Sequence, residues 1–276
     1  MNWQLSGFGD EVDADPVVQV AVLQALGARC IEVRSAWGTN VADLDDAQLA
    51  ELDRVLRKRG QQVSAVASPV GKVPVEADPD DEVVRLRRIA HVATVLGTPY
   101  VRIFSFFTGE RKPDEVRDDV LRRMAGLAAV AEETGVVLLH ENEKGIYGDT
   151  PHRVLDLVES VGSPALKVAW DSANFVQVGV ERPHDEGFAL LRPHLEYLQV
   201  KDALAADGSV VPAGEGDGQV EATVSALAAD GFSGFASLEP HLADAHELGG
   251  FSGPGAFGRA ARAFRRLTDR AGVTLV

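Results

Sequence analysis

Eight times along its length this chain repeats one pattern, a short β-branched or apolar run, a loop and an amphipathic helix closed by glycine, and that alternation predicts a (β/α)8 barrel. Length agrees, because 276 residues lie close to the roughly 250 typical of such barrels. The third observation is that the signatures of the rival fold are missing. An open doubly wound sheet would carry a dinucleotide-type glycine fingerprint after a strand; Gly7-Phe8-Gly9 lacks the third glycine and a helix at the right distance, and no P-loop is present. With 45% hydrophobic residues one large core suffices, so residues 1–276 read as a single domain.

The first strand is weakly marked, at residues 5–9. Asp15 as N-cap and Pro16 at the first helical position then open a helix over 16–26, which Gly27 ends. A strand at 30–34 precedes the helix opened by Asp45-Asp46 and stopped by Gly60, and a strand at 62–67 precedes a long helix at 80–96 stopped by Gly97. Strand four, 100–105, leads through FFTGERKP to a helix at 114–133 ended by Gly135. The fifth strand lies in VVLLHENEKGIYGDTP, residues 136–151, where an apolar run ends abruptly in charged and glycine-rich residues. Thr150-Pro151 reads as an N-cap followed by proline, and the helix HRVLDLVESVG leads to strand six at 166–171. Strands seven and eight fall at 197–202 and 235–239, and a helix at 256–270 closes the chain.

A formal charge of −15 argues against a polyanionic partner, since nucleic-acid affinity rests on Lys and Arg neutralising phosphates. The basic patches at 85–88 and 262–266 read as solvated helix faces. No apolar run reaches membrane-spanning length and MNWQLSGFGDEVDADP is too polar for a signal peptide, so the expectation is a soluble, cytoplasmic protein that engages no membrane. The single Cys30 rules out an internal disulfide and a cysteine-rich metal site, which leaves oxygen or imidazole to hold any metal. A homo-oligomer remains open.

In a barrel the active site lies where the strands end, so the informative residues are the last polar ones of each strand. Strand five gives Glu141, with Glu143 as its rival for one inward site because alternate residues of a strand share a face. Glu141 is preferred, since the strand must end before Glu143 to let the chain turn through Lys144-Gly145. Strand six gives Asp171, strand seven Gln199 with Lys201 and Asp202, and strand eight Glu239, with His241 just beyond Pro240. Three carboxylates and a carboxamide from four consecutive strands make an oxygen-rich pocket suited to Mg2+ or Mn2+. Glu32, Arg34 and Arg102 form either a polar network under the pocket or ion pairs that fill the barrel. PAGEGDG, residues 212–218, offers glycine amides for an anion such as a substrate phosphate, or a plain turn before the next helix. Trp3, Trp37, Phe106 and Phe107 fall near strand ends or loops, where they would stack on a sugar ring or simply pack.

The strings HENEKGIYGDTP, WDSANF, LQVKDA, VVPAGEGDG and LEPHL, each at or just beyond a strand end and in this order, resemble the xylose isomerase-like TIM-barrel family of sugar and sugar-phosphate isomerases and epimerases. The resemblance runs from about Gly7 to the C-terminus and is strongest in the second half. It implies a divalent cation held at the ends of strands five to eight, by Glu141, Asp171, Gln199 and Glu239, and proton transfer at the carbon next to a carbonyl. Many members resemble this chain but place histidine where Gln199 stands. The hydroxypyruvate isomerase branch is similar in using Glu, Asp, Gln and Glu, so the metal is retained, with Mn2+ or Mg2+ preferred over zinc. Ser172 also departs from the proline of the family's D-P-A-N-F string, a neutral change.

Moving a proton beside a carbonyl needs a base, a group to return the proton and a charge to hold the enediolate oxygen. Glu141 and Glu239 are the candidate acid–base pair as well as ligands, and Lys201 and His241 are candidate contacts to a small carbohydrate substrate. The alternatives are a metal-dependent lyase or dehydratase on a sugar-like or cyclitol substrate, an endonuclease-IV-like phosphodiesterase, and a non-catalytic sugar-binding barrel. The net charge and the shortage of histidine at strand ends count against the phosphodiesterase. Two glutamates in catalytic positions count against a mere binding module.

Overall fold

The computed structural model describes residues 1–242 and 252–276. Eight parallel strands build the wall: β1 (Asn2–Gly7), β2 (Cys30–Val33), β3 (Gln62–Ala67), β4 (Tyr100–Ile103), β5 (Val137–Glu141), β6 (Leu166–Asp171), β7 (Leu195–Val200) and β8 (Phe235–Leu238). Their hydrogen-bonded order is β1-β8-β7-β6-β5-β4-β3-β2, and a parallel bridge between Phe8 and Glu32 brings the two ends together. The ring is therefore closed. The C-terminal Thr274–Leu275 pairs in parallel with the start of β1, on the edge away from β8.

Helices α1 (Pro16–Ala25), α2 (Asp46–Arg59), α3 (Pro79–Leu96), α4 (Pro113–Thr134) and α5 (Pro151–Val161) follow β1 to β5; α1, α2 and α5 begin as the punctuation predicts, and α3 and α4 begin one residue early on Pro79 and Pro113. Asp45 and Gln48 form a reciprocal capping box on α2, and Gly60, Gly97, Gly135 and Gly162 end four helices in the left-handed conformation. After β6 come the two-turn α6 (Ser172–Gln177) and a wide turn at His184–Phe188; α7 (Val220–Ala229) follows β7, and α8 (Gly253–Arg270) follows β8. α8 begins at Gly253, ahead of the expected 256, because Pro254 fits the first helical turn.

The weak first strand has a physical cause. Trp3 and Leu5 of β1 pack outward into the helix-facing core while Ser6 points into the barrel and bonds Ser64 Oγ at 2.6 Å. Polar residues on an inward face disguise the strand, which starts at Asn2 and not at residue 5. The barrel interior holds one small apolar layer, Ala65, Leu139, Ala169 and Tyr197 with Tyr100 and Phe235 against it. Above it the lining turns polar and charged, up to the strand ends. None of the helices in the described residues is long and apolar enough to cross a membrane.

The loops after β3 and β4 are strapped together to form one wall of the mouth. Phe104 N donates to Val70 O and Phe106 N to Gly71 O, both at 2.9 Å, while Gly71 N donates to Glu82 Oε2 at 2.6 Å. Gly71 sits at φ +80°, and a Cβ there would overlap the Phe104 carbonyl oxygen. Gly71→Ala is expected to destabilise the protein by on the order of 2–3 kcal/mol, against about 1 kcal/mol for Gly38→Ala. Gly38 has φ +74° and open space around it. Urea midpoints of the two variants check this; equal losses would show that backbone conformation alone, and not the close approach, constrains Gly71.

Candidate active site

Glu141 and Asp171 are the last residues of β5 and β6, and Glu239 follows the end of β8 directly. All three are buried, and one carboxylate oxygen from each lies within 4.8 Å of the others. Two asparagines next to them fix this pairing. Asn142 receives Asp171 N at 3.0 Å and donates to Asp171 O at 2.9 Å; Asn174 donates to Asn142 O at 2.8 Å and to Glu141 Oε1 at 3.2 Å. Asp171 Oδ1 also accepts Asn174 N at 2.9 Å and so caps α6. Neither asparagine was singled out from the sequence, although HENEKGIYGDTP and WDSANF contain them.

Lys201 stands between the carboxylates, its Nζ 2.9 Å from Asp171 Oδ2 and 2.9 Å from Glu239 Oε2. It does not pair with Asp202, which has another task. Asp202 accepts the amides of Gly214 (2.9 Å), Gly216 (3.1 Å) and Gly218 (2.9 Å), so the glycine-rich loop binds the protein's own carboxylate instead of an external anion. Arg102 Nη1 reaches Glu141 Oε2 at 3.1 Å with its guanidinium 4.4 Å from the Phe104 ring centre. Arg34 spans Asp10 (2.8 Å), Glu11 (3.3 Å) and Glu239 Oε1 (2.9 Å).

His241 places Nε2 2.9 Å from Glu11 Oε1 and 3.4 Å from Glu239 Oε1. Glu143, the rival of Glu141, is outside the carboxylate cluster and pairs with Lys72 at 3.1 Å. Gln199 is buried beside Asp171 in register; its Nε2 donates to Glu32, and its Oε1 has no hydrogen-bond partner. Asp10 and Glu11 lie between β1 and α1, and nothing local in the sequence shows that the turn there delivers them to Arg34 and His241. Of the four aromatic residues considered, Trp3 and Phe106 are buried, and Phe104 lines the cavity in their place.

A cavity of about 260 Å3 opens above these groups, lined among others by Arg34, Ser68, Lys72, Phe104, Glu141, Lys201, Glu239 and His241. Burial pushes the Glu141 carboxyl up to about 8, with Arg102 opposing, and Asp171 up to about 6 against Lys201. Burial also acts on Glu239, but there Lys201, His241 and Arg34 outweigh it and hold the carboxyl well below the ordinary range. For His241 burial is outweighed by Glu239 and Glu11, which lift the imidazole to about 9. Opposite shifts on neighbouring carboxyls are the arrangement in which one serves as acid and the other as base.

The donors fit a divalent cation. Glu141, Asp171 and Glu239 bring carboxylate oxygens within 4.8 Å of one another, the oxygen-rich setting that a hard cation takes. Gln199 adds a buried carbonyl oxygen with nothing to accept.

The molecule is thus a closed (β/α)8 barrel with a carboxylate-rich site at the C-terminal mouth of β5 to β8, the usual place for catalysis in this architecture. It belongs to the xylose isomerase-like TIM barrel family, whose profile matches residues 20–275. Over 145 residues it is 32% identical to 2-epi-5-epi-valiolone 7-phosphate 2-epimerase of an Actinoplanes species, a match that covers 51% of this chain and 50% of that protein. The similar stretch thus spans only half of that relative. The fold resembles the crystal structure of the probable 3-DHS dehydratase AsbF of Bacillus anthracis, with TM-score 0.74, 18% identity and coverage of 96% of this chain and 99% of that one. It also resembles D-allulose 3-epimerase of a Methylomonas species in complex with D-allulose, with TM-score 0.72, 15% identity and 96% of each chain covered.

Removing the Lys201 ammonium tests the electrostatics. Lys201→Met should lower stability by roughly 3–5 kcal/mol near neutral pH, the usual cost of leaving buried charges without a partner. In the wild type Glu239 is held below its unfolded-state value, so its contribution is present above that value and is lost as pH falls through the folded one. The variant lacks much of that contribution, so its deficit should be largest above the ordinary carboxylate range and shrink as pH falls below it. Urea denaturation at several pH values reads the gap; a deficit independent of pH would show that Lys201 is not what keeps Glu239 ionised.

Proposed function

We propose that the protein is a divalent-metal-dependent isomerase or epimerase of a small sugar, keto sugar or sugar phosphate, moving a proton next to a carbonyl through an enediolate. The observation that carries this reading is the convergence of Glu141, Asp171 and Glu239 within 4.8 Å at the floor of a cavity. The partial sequence similarity to an epimerase supports it. Glu141, Asp171, Gln199 and Glu239 would hold Mn2+ or Mg2+, which when bound supplies the positive charge that favours an enolised carbonyl oxygen.

The remaining chemistry belongs to the side chains. Glu239 is ionised at neutral pH and accepts the proton, while Glu141, whose carboxyl is pushed up by burial, carries one to return. They approach from β5 and from the end of β8, so they meet a bound sugar from different sides. Lys201 and His241, both cationic and both lining the cavity, donate to substrate oxygens. Phe104 and Pro69 add apolar surface to the cavity lining, which limits water beside the reacting carbon.

The test is a metal-supplemented screen of ketoses, tetruloses, inososes and their phosphates, followed by solvent-deuterium incorporation into the substrate found. Glu239→Gln keeps an oxygen for the cation but cannot take a proton, so metal binding should largely survive while turnover falls by a factor on the order of 10²–10⁴. Gln199→His should do the reverse, tightening metal binding without abolishing turnover. Near-normal exchange in both Glu239→Gln and Glu141→Gln would sink the proton-transfer roles. Release of water in place of isomerisation would move the protein to the dehydratase class.

A further inference from the structure

Beneath the cluster of carboxylates, Glu32 of β2 is fully buried and meets Gln199 of β7 across the barrel interior. Gln199 Nε2 donates to Glu32 Oε1 at 3.0 Å and to Oε2 at 3.2 Å. The Tyr197 hydroxyl lies 2.9 Å from Glu32 Oε2 and 2.8 Å from Ser64 Oγ, and Ser64 in turn bonds Ser6 Oγ at 2.6 Å. Glu32 is thereby held by a chain of hydroxyls and by the Gln199 amide, with the Ser237 hydroxyl and the charge of Arg102 acting on it as well.

A carboxamide donates at one end and accepts at the other. Both Glu32 oxygens meet the NH2 end of Gln199, so its carbonyl is turned away. That Oε1 is buried and has no hydrogen-bond partner, which is costly for a polar atom unless something electropositive meets it. A hard cation meets a carbonyl oxygen without needing a hydrogen. Turned the other way, the same amide would present N–H groups to the cation and repel it.

We propose that Glu32 is a positioning residue that locks the Gln199 amide so that its carbonyl oxygen, and not its NH2 group, is presented to the bound divalent cation. The inference rests on the reading that Gln199 is a ligand. It explains why a carboxylate with no contact to the cavity lies buried under the site. It also gives a flexible, two-faced ligand the single orientation that an imidazole would obtain from an acceptor bonded to its other nitrogen.

The experiment is Mn2+ binding by calorimetry and by electron paramagnetic resonance on wild type, Glu32→Met, Glu32→Gln and each of these in a Gln199→Ala background. Both single variants remove the Glu32 charge, but only Glu32→Gln keeps an acceptor oxygen for Gln199 Nε2. Glu32→Met should weaken Mn2+ binding by on the order of 10–100-fold, as outer-shell losses do, and Glu32→Gln should recover most of that loss. In the Gln199→Ala background the two should differ by less than about twofold, since nothing is left to orient. Equal weakening by both variants would mean that the charge of Glu32, not its grip on the amide, matters, and the proposal falls; so it does if the Glu32→Met loss persists without Gln199. Should Glu32→Met not fold, the Gln199 side-chain amide resonance of the wild type decides. Its Nε2 protons should stay protected from exchange when Mg2+ is added, and loss of that protection would overturn the proposal. Wild type that binds no Mn2+ would instead remove the metal reading itself, and this inference with it.

Discussion

Carboxylates buried at the mouth of the barrel are the constraint on which the rest of the structure depends. Glu141, Asp171 and Glu239 are all removed from water, where each charge would be strongly unfavourable alone and where their mutual repulsion adds to the cost. The chain answers with Lys201 between two of them, Arg102 on the third and Arg34 bridging Glu239 to Asp10 and Glu11. Each of those cations must itself be buried or half-buried, and each is steadied by more than charge. Arg102 lies over Phe104 and Arg34 over Phe8, so aromatic faces hold the guanidiniums where water would otherwise solvate them.

The same constraint accounts for the polar interior lower down. Most barrels of this class fill their centre with branched aliphatic layers. Here, among the described residues, the small cluster Ala65, Leu139, Ala169 and Tyr197 takes the place of those layers, and Ser6, Glu32, Ser64 and Gln199 are joined by hydrogen bonds with Tyr197. A network of this kind is tolerable only when its members are satisfied, and an atom left over calls for an explanation. The glycine-rich loop obeys the same rule. Three of its amides converge on the Asp202 carboxylate, which pins the β7 end next to Lys201 while keeping Asp202 away from it.

Much of the fold was legible because its signals are local. Caps such as Asp15 and Asp45, prolines at first helical turns and terminal glycines are read within a few residues of one another, and the helices begin and end where that punctuation falls. β2 to β8 follow from apolar runs buried on both faces. β1 was placed too late because its inward residues are polar, and α8 too late because Gly253, Pro254 and Gly255 read as a loop. The candidate carboxylates were legible for the same reason as the strands. Each is the last polar residue of an apolar run, and parallel strands of a barrel all deliver their ends to one face.

What the sequence by itself determined, then, was the set of groups at the mouth: Glu141, Asp171, Gln199, Lys201, Glu239 and His241. Their partners were decided only by tertiary structure. Lys201, a candidate substrate contact by sequence, pairs with Asp171 and Glu239; the loop at 212–218, open to an anion by sequence, holds Asp202; Asp10 and Glu11, between the first strand and the first helix, anchor Arg34 and His241. The reason is physical. Which residues face a strand's inner side is fixed by a two-residue period that any short segment displays, but which charges meet depends on closure of the ring. Closure brings residues 10, 34, 201 and 239 into one set of ion pairs, and no local pattern encodes a contact between groups so far apart in the chain.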